Sequence, residues 1–452
     1  MKRVIFTAVI VLLFTCVSCS KELPASDEQI PPAAVPVQDA EATGSTEAPV
    51  SPIEPAPFPI TPCELTADDE QAIDTAYLDL SFKLLSELYP ENPNVLISPA
   101  SIFTALSMTD MGAGGDTEGE LRTILAGSAS KEALLSYNMR LNELLNDDAL
   151  RSVNSIWFNT SGIGTNHLSL STAFEDTLST YFGAEAKFLP FNTDGQKQIN
   201  DYIKEKTDGM IDKLIEGFDG DELLILLNAL AFDAPWEEPF LSDLVLQDTV
   251  FTNWDGTIAH LPRMRSTEYT YLESDLATGF KKYYKDRRYS FVGILPKDET
   301  VSPDAFLTDF DAAAFSAFCQ SASNEAVQIE LPPFSFDYDT DLCGVLKKFG
   351  ITSAFNPDEA DLFDMVDGET AGDKLYVDQI LHKTHIAVET DGTKAAAVTA
   401  VITKCESTSV QKKKARVVVL DRPFVFAIVN EDTGLPVFLG TFSEFKVFNP
   451  AF

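Results

Sequence analysis

The residues best suited to chemistry in this chain are its few histidines. Only four are present: His167, His260, His382 and His385. His382 and His385 lie three residues apart in a strand-like stretch, so their side chains are expected on opposite faces of the strand. Two imidazoles placed in that way cannot bind one metal ion together. The spacing therefore argues against a metal site, and we interpret His382 as a hydrogen-bonded core residue.

Other motifs of catalysis or cofactor binding are absent from the sequence. Met111–Gly119 reads MGAGGDTEG, which matches neither G-x-G-x-x-G nor G-x-x-x-x-G-K-[ST] and is interpreted as a turn between helices. A G-x-S-x-G nucleophile motif is also missing. After Cys19 the cysteines are widely spaced, which argues against a disulfide framework or a metal cluster: Cys63, Cys319, Cys343 and Cys405. We expect neither an enzyme nor a bound cofactor.

A stretch of small and β-branched residues follows a polar turn late in the chain. Residues 388–404 read VETDGTKAAAVTAVITK. Large apolar residues do not recur there at helical spacing, and three consecutive alanines give a core strand little to pack. On residue types alone, this is a strand-competent loop after an exposed turn at 390–392. A basic patch at 412–414 is interpreted as a solvated loop or, alternatively, as a docking or protease-sensitive segment.

The first part of the chain differs in composition from the rest. Residues 1–19 read MKRVIFTAVIVLLFTCVSC, which is typical of an export signal, and the end of this stretch resembles a bacterial lipoprotein site with Cys19 as the lipidated residue. Ordinary secretion is the alternative. Residues 20–65 are rich in Pro, Ala, Glu, Thr and Ser, which predicts a disordered tether.

The remaining chain indicates a globular α+β protein with an acidic surface. The formal net charge is −37, which argues against binding of nucleic acid or heparin and favours cationic partners. The length of 452 residues alone suggests two or three domains. Apolar spacing predicts helices at 70–89, from Ser98 to Met111, at 131–146 and at 195–217, and strands at 223–232, 290–296, 325–336, 375–390 and 417–448. Long helices come first and most strands later, which favours α+β.

Several segments, in order, resemble the serpin family. They are NVLISPASIFTAL (94–106), LLNALAFDAPWEEPF (226–240), LHK (381–383), GTKAAAVTA (392–400), VVLDRPFVFAI (418–428) and LPVFLGTF (435–442). The resemblance implies a single domain over 66–452 with three β-sheets, about nine helices and an exposed reactive-centre loop. It further implies a serine protease inhibitor that acts as a suicide substrate, whose cleaved loop inserts into the main sheet.

The resemblance assigns roles to two groups of residues. The loop hinge would comprise Gly392, Thr393, Lys394, Ala395, Ala396 and Ala397, where alternate small side chains would face the core after insertion. The region where the sheet opens would comprise Ser98, Ser101, Asn228, Trp236 and His382. Two features depart from the family pattern: Thr390 replaces an acidic residue, and Pro333 stands where its lysine partner is usual.

The bait bond follows from counting along the loop. The residue fourteen positions after Gly392 is Glu406, which places the cleaved bond between Glu406 and Ser407. The loop is several residues longer than usual, so Lys404 and Cys405 remain alternatives. The hypothesis is a monomeric, membrane-tethered bacterial inhibitor that forms a covalent complex with a serine protease. Inhibition of a cysteine protease, or a non-inhibitory binding protein, are the alternatives.

Overall fold

The computed structural model describes residues 60–160, 169–218, 222–367, 375–393 and 415–445. Within these residues there are nine α-helices, as the resemblance led us to expect. They are α1 (Ala67–Leu88), α2 (Pro99–Met111), α3 (Gly115–Leu125), α4 (Lys131–Leu145), α5 (Thr172–Thr177), α6 (Thr193–Lys206), α7 (Pro303–Asp309), α8 (Ala312–Gln320) and α9 (Cys343–Lys348).

The helix boundaries follow local chemistry. Ser98 caps α2 with its hydroxyl, which accepts a hydrogen bond from the Ser101 N–H, and Pro99 occupies the first turn as predicted. Residues 112–114 join α2 to α3, so the glycine-rich stretch links two helices. The helix predicted over 195–217 is too long, because α6 ends at Lys206. Asp208 and Gly209 then adopt positive φ angles of 50° and 75°, which a continuing helix does not allow.

Nineteen strands lie within the described residues. They are β1 (Leu96–Ile97), β2 (Leu150–Asn159), β3 (Ser169–Leu170), β4 (Glu185–Leu189), β5 (Leu224–Phe232), β6 (Ala234–Pro235), β7 (Leu246–Thr252), β8 (Ile258–Glu268), β9 (Thr270–Glu273), β10 (Ala277–Tyr283), β11 (Tyr289–Pro296), β12 (Val327–Leu331), β13 (Phe334–Asp341), β14 (Val366–Asp367), β15 (Gln379–Val388), β16 (Gly392–Thr393), β17 (Arg416–Val419), β18 (Phe424–Asn430) and β19 (Pro436–Phe442).

These strands form three large sheets and one small one. The orders are β4-β2-β5-β15-β16-β6, with β13 also paired to β15; β1-β19-β18-β11-β10-β9; β17-β12-β8-β7; and β14-β3. The strand predicted over 325–336 is divided, since Pro332 and Pro333 lack the N–H groups of a continuous ladder and β12 and β13 join different sheets. The sequence interpretation did not include β2, β4 or β7–β10.

The seven-stranded sheet, called the main sheet below, is covered on both faces. All nine residues of β5 are buried, as predicted for a central strand. On one face β5 and β2 pack against α6 through a separate apolar cluster that includes Ile199, Ile203 and Trp157. The other face belongs to the larger core, which also contains α1 and α2. A strand with both faces covered reads as a continuous apolar run, which is why β5 was recognisable.

The ordered body begins before the predicted end of the tether. Ile60 is buried in the main core, and the carbonyl oxygen of Cys63 accepts a hydrogen bond of 2.7 Å from the Ser136 hydroxyl on α4. Residues 60–65, the last part of the predicted tether, therefore contact the folded body at these two positions, and the tether before them stays a prediction. The described residues all belong to one compact unit, 54–452. No helix among them is long and apolar enough to cross a bilayer.

Candidate functional site

The predicted site residues lie where β5 and β15 meet in the main sheet. The two strands are direct parallel neighbours over seven positions, from Ile225 opposite Gln379 to Ala231 opposite His385. Beyond this ladder the chain turns back at 389–391 and enters β16. There Thr393 pairs with Val388 of β15 and with Ala234 of β6. The first two hinge residues therefore already lie between the ends of the strands that would have to separate.

Three polar side chains and one backbone N–H form a connected chain of hydrogen bonds beneath this point. We call Ser98, Asn154, Asn228 and His382 the inter-strand cluster. The Ser98 N–H donates to Nε2 of His382 (3.1 Å), and Nδ1 of His382 contacts Oδ1 of Asn228 (2.6 Å). The Asn228 amide then donates to Oδ1 of Asn154 (2.5 Å). The bond between His382 and Asn228 crosses from β15 to β5, so separation of these strands must break it.

The hydrogen bonds fix the charge state of His382. Because Nε2 accepts from a backbone N–H, the proton of the neutral ring resides on Nδ1, which donates to Asn228. The side chain is fully buried. Burial lowers the pKa of His382 to about 3, since an imidazolium would lose its hydration. A second ring proton would also face the Ser98 N–H, so the cluster is built for the neutral ring.

Ser101 is buried beside this cluster on α2. Its N–H donates to the Ser98 hydroxyl (3.2 Å), which closes the first turn of the helix. Its own hydroxyl has no hydrogen-bond partner among the described residues. Ser98 and Ser101 thus hold the start of α2 against β15, and Ser98 alone contacts His382.

Trp236 belongs to a second group, around the hinge. Its indole N–H donates to the Glu389 carbonyl oxygen (2.9 Å), and its ring stacks on Tyr284 at 4.4 Å between centroids. The Tyr284 and Thr393 hydroxyls are 2.7 Å apart, and Thr393 is fully buried. We call Trp236, Tyr284 and Thr393 the hinge clamp. Aromatic stacking and a buried hydrogen bond together hold the start of the loop in place.

The prediction of an exposed turn at 390–392 is wrong in part. Gly392 is buried, and Thr390 and Asp391 are only half exposed. The reason is backbone hydrogen bonding: the Trp236 N–H donates to the Asp391 carbonyl oxygen and the Phe240 N–H to that of Thr390. Thr390, which departs from the family pattern, is thus held through its backbone.

The sequence interpretation missed two contributors, Asn154 and Tyr284. Asn154 lies in β2, which was not predicted, and it stands there between Ser152 and Ser155, so no single polar residue was conspicuous. Tyr284 follows β10 directly, and only the topology brings it to Thr393. His385 lies on the opposite face from His382, as predicted, and contacts Asp337 at 2.6 Å. No group of metal-binding side chains occurs in the part of the chain that the structure describes.

Several predicted residues lie outside the described residues. They are Cys19 of the lipoprotein signal, Lys394, Ala395, Ala396 and Ala397 of the hinge, Glu406 and Ser407 of the bait bond with the alternatives Lys404 and Cys405, and the basic patch at 412–414. Their roles stay predictions. Among the described cysteines, Cys63, Cys319 and Cys343 carry free thiols.

Comparison with known sequences gives one family. Residues 75–445 match the family model described as Serpin (serine protease inhibitor). An uncharacterized serpin-like protein of Thermococcus kodakarensis is 29% identical over 385 residues, which cover 83% of this chain and 86% of the relative. Iripin-3 of Ixodes ricinus is 30% identical over 391 residues, 83% of this chain and 95% of that protein.

Comparison with solved structures gives the same fold. The thermophilic serpin tengpin in its native state is 33% identical and superposes with a TM-score of 0.77, covering 85% of this chain and 98% of tengpin. Tengpin in its latent state, at the same identity and with 85% and 100% coverage, gives 0.71. Human thyroxine-binding globulin, at 23% identity and a TM-score of 0.70 over 82% of this chain and 98% of that one, shares the fold.

Proposed function

Because the chain belongs to the serpin family, we propose that it inhibits a serine endopeptidase as a suicide substrate. The observation that carries the proposal is the junction of β5 and β15. These strands are paired directly over seven positions, while Gly392 and Thr393 already stand between their ends. The main sheet thus has a defined seam, and the loop enters at its open end. It follows that the residues after Thr393 have a ready path into the sheet.

The proposed chemistry belongs to the protease. Its serine hydroxyl attacks the carbonyl carbon of Glu406, and the amide bond to Ser407 breaks. The Ser407 amine leaves with a proton from the protease's general acid, and an ester joins Glu406 to the protease. Water would normally hydrolyse this ester. Insertion of the loop carries the protease away and distorts its active site, so the covalent complex persists.

The register of β16 predicts where each loop residue would lie after insertion. Thr393 is antiparallel to Val388 on one side and to Ala234 on the other. Extended by six residues, both ladders bring Thr399 to the same place, opposite His382 on β15 and Asn228 on β5. Thr399 would lie on the same face of the inserted strand as the buried Thr393, so its hydroxyl would point into the inter-strand cluster. A hydroxyl both donates and accepts, and can replace the bond that insertion breaks.

The loop composition supports the same register. The residues that would share the buried face with Thr393 and Thr399 are all uncharged: Ala395, Ala397, Val401 and Thr403. The opposite face would carry Lys394 and Lys404. Each new ladder bond contributes about 0.5–1.5 kcal/mol, so a dozen would release on the order of 10 kcal/mol. The uncleaved state would then persist through a kinetic barrier.

The proposal is tested by incubating residues 20–452 with glutamyl-specific, trypsin-like, elastase-like and subtilisin-like serine proteases and with a cysteine protease. A complex that survives a denaturing gel is expected, and mass spectrometry of the released peptide should place its new terminus at Ser407. A terminus at Cys405 or Glu406 would instead identify Lys404 or Cys405 as the bait residue. Clean cleavage without any complex would contradict inhibition and favour a non-inhibitory binding protein.

A pair of arginine variants distinguishes insertion from simple cleavage. Thr393→Arg places a charge in the buried hinge clamp and should convert the inhibitor into a substrate. Ala396→Arg is the matched control, because this residue would lie on the opposite face of the inserted strand, beside His385 and the carboxylate of Asp337. This variant should still form most of the covalent complex. Equal loss in both variants would contradict the register.

We also propose that the inhibitor is exported and held at a bacterial membrane through a lipid on Cys19. The support is the composition of residues 1–19 and of the polar segment that follows. With its strongly negative charge, the inhibitor would attract cationic proteases. Expression with a radiolabelled fatty acid tests the anchor: the native chain should be labelled and Cys19→Ser should not, whereas an unlabelled native chain would indicate plain secretion.

A further inference from the structure

A large cleft lies at the tip of the hairpin formed by β7 and β8, away from the main sheet. Its volume is about 810 Å³, and we call it the Trp254 cleft. Trp254, which lines the cleft, is 53% exposed. The other apolar lining comes from Tyr89, Pro90, Pro93, Val301, Pro303 and Pro423. A cleft with so many apolar and aromatic groups is suited to an apolar polypeptide segment.

The described chain ends beside this cleft. The side-chain oxygen of Asn253, which lines the cleft, accepts a hydrogen bond of 2.9 Å from the Phe445 N–H. The backbone N–H of Trp254 donates to the Ser443 carbonyl oxygen at 2.9 Å. Asn94 also binds the N–H groups of Ser443 and Glu444. These bonds hold the end of the described chain against residues that line the cleft.

The residues that follow have suitable composition and length. Residues 446–452 read KVFNPAF, with three large apolar side chains, one lysine and no acidic residue. Fully extended, seven residues reach about 23 Å. The exposed carboxylates of Asp304 and of Glu299, which also lies 3.8 Å from Arg422, are of opposite charge to Lys446. Proline-containing segments bind aromatic-lined grooves with little loss of conformational freedom.

We propose that residues 446–452 bind in the Trp254 cleft of the same molecule. Phe448 and Phe452 supply the apolar contacts, and Lys446 lies at the acidic edge. The bound segment joins the tip of the β7–β8 hairpin to the residues before α7 and to Pro423 before β18. This is an intramolecular interaction surface that does not depend on the inhibitory function.

Quenching of tryptophan fluorescence by acrylamide tests the proposal. Trp157 and Trp236 are buried, so Trp254 accounts for most of the accessible emission. A chain that ends at residue 445 should be quenched more strongly than residues 20–452. In a Trp254→Phe background the truncation should change nothing. Equal quenching with and without residues 446–452, or a difference that persists in Trp254→Phe, would overturn the proposal.

Point variants separate binding from any folding defect of the truncated chain. The double variant Phe448→Ser with Phe452→Ser should expose Trp254 as the truncation does, while Asn449→Ser should not. The peptide KVFNPAF should restore shielding to the truncated chain only near millimolar concentration, because the tether supplies an effective concentration of about that size. Shielding that depends on protein concentration and not on residues 446–452 would indicate a second copy in the cleft and contradict the proposal.

Discussion

Two buried polar clusters in this molecule offset the cost of removing polar groups from water in different ways. The inter-strand cluster is neutral, and its members are linked by hydrogen bonds. The second, which we call the charged cluster, comprises Asp110 of α2, Glu118 and Arg122 of α3 and Lys131 of α4. Lys131 contacts Glu118 at 3.3 Å and donates to the Ala113 carbonyl oxygen at 3.1 Å. Arg122 pairs with Glu118. Neither carboxylate oxygen of Asp110 has a hydrogen-bond partner among the described residues.

The two clusters also differ in what surrounds them. The charged cluster connects three helices, none of which is part of the β5–β15 seam. The inter-strand cluster spans that seam, and the proposed insertion would break and replace its bond between His382 and Asn228. Buried ions are costly to leave unpaired, whereas neutral amide, hydroxyl and imidazole groups can exchange partners. We infer that the buried face of the seam carries a neutral cluster because the proposed insertion requires its bond between the strands to be exchanged.

The difference has opposite consequences for stability as the pH changes. With a folded pKa of about 3, His382 binds a proton between about pH 6.5 and 3 in the unfolded chain but not in the folded one. Its contribution to the unfolding free energy is therefore complete above pH 6.5 and is lost as the pH falls. Burial raises the pKa of Asp110 from 3.8 to about 6, against the attraction of Lys131 and Arg122. The contribution of Asp110 to the unfolding free energy is complete below about pH 3.8 and is lost as the pH rises to about 6.

The largest effect is expected from His382→Ala. This change leaves the Asn228 amide oxygen and the Ser98 N–H unpaired and opens a cavity, which should cost about 3–5 kcal/mol of unfolding free energy at pH 7.5. His385→Ala is the control, because it removes a half-exposed pair with Asp337 and should cost less than about 1 kcal/mol. Denaturant unfolding of both variants gives the measurement. Similar losses would contradict the view that the seam depends on its neutral network.

Asp110→Asn should act in the opposite direction. It removes a buried carboxylate and should raise the unfolding free energy at pH 7.5 by up to about 3 kcal/mol, since a shift of one pKa unit corresponds to 1.36 kcal/mol. The gain should shrink as the pH falls toward 4, where the native carboxyl is already protonated. Asp275→Asn, at an exposed position, should change little at either pH. A gain that does not depend on pH would show that Asp110 is not the titrating group.

The sequence predicted one of these clusters and not the other, for a physical reason. Ser98, Asn228 and His382 stand in apolar segments, where a lone polar residue is conspicuous and matches a family motif. Glu118 and Arg122 have the spacing of an ordinary exposed helix pair, and charged residues are usually exposed. Only the packing of α2, α3 and α4 buries them. The fold class and the central strand were likewise predictable from pattern, whereas the separation of β12 from β13 depends on which sheet each strand joins.

A smaller effect should reveal whether the inter-strand cluster is prepared for a new partner. Thr399→Val keeps the shape of the side chain but removes its hydroxyl. It should lower the stability of the cleaved, inserted form by about 1–2 kcal/mol and leave the uncleaved form unchanged. Thermal midpoints of both forms give the readout. Combining it with Val401→Thr moves the hydroxyl two residues along the same face and should not rescue the loss. A rescue would show that the register derived from β16 is wrong.

The smallest effect is expected at the hinge clamp, from Tyr284→Phe. The change keeps the stacking on Trp236 and removes one buried hydrogen bond, leaving the Thr393 hydroxyl without this partner. Loss of about 0.5–1.5 kcal/mol should speed hydrogen exchange at 389–393 about two- to tenfold. Tyr289→Phe is the control, since its hydroxyl lies outside the hinge clamp and donates a long 3.4 Å bond to the Leu144 carbonyl oxygen. If both variants exchange at the native rate, the strand pairing of Thr393 suffices to hold the hinge, and the clamp acts through Trp236 alone.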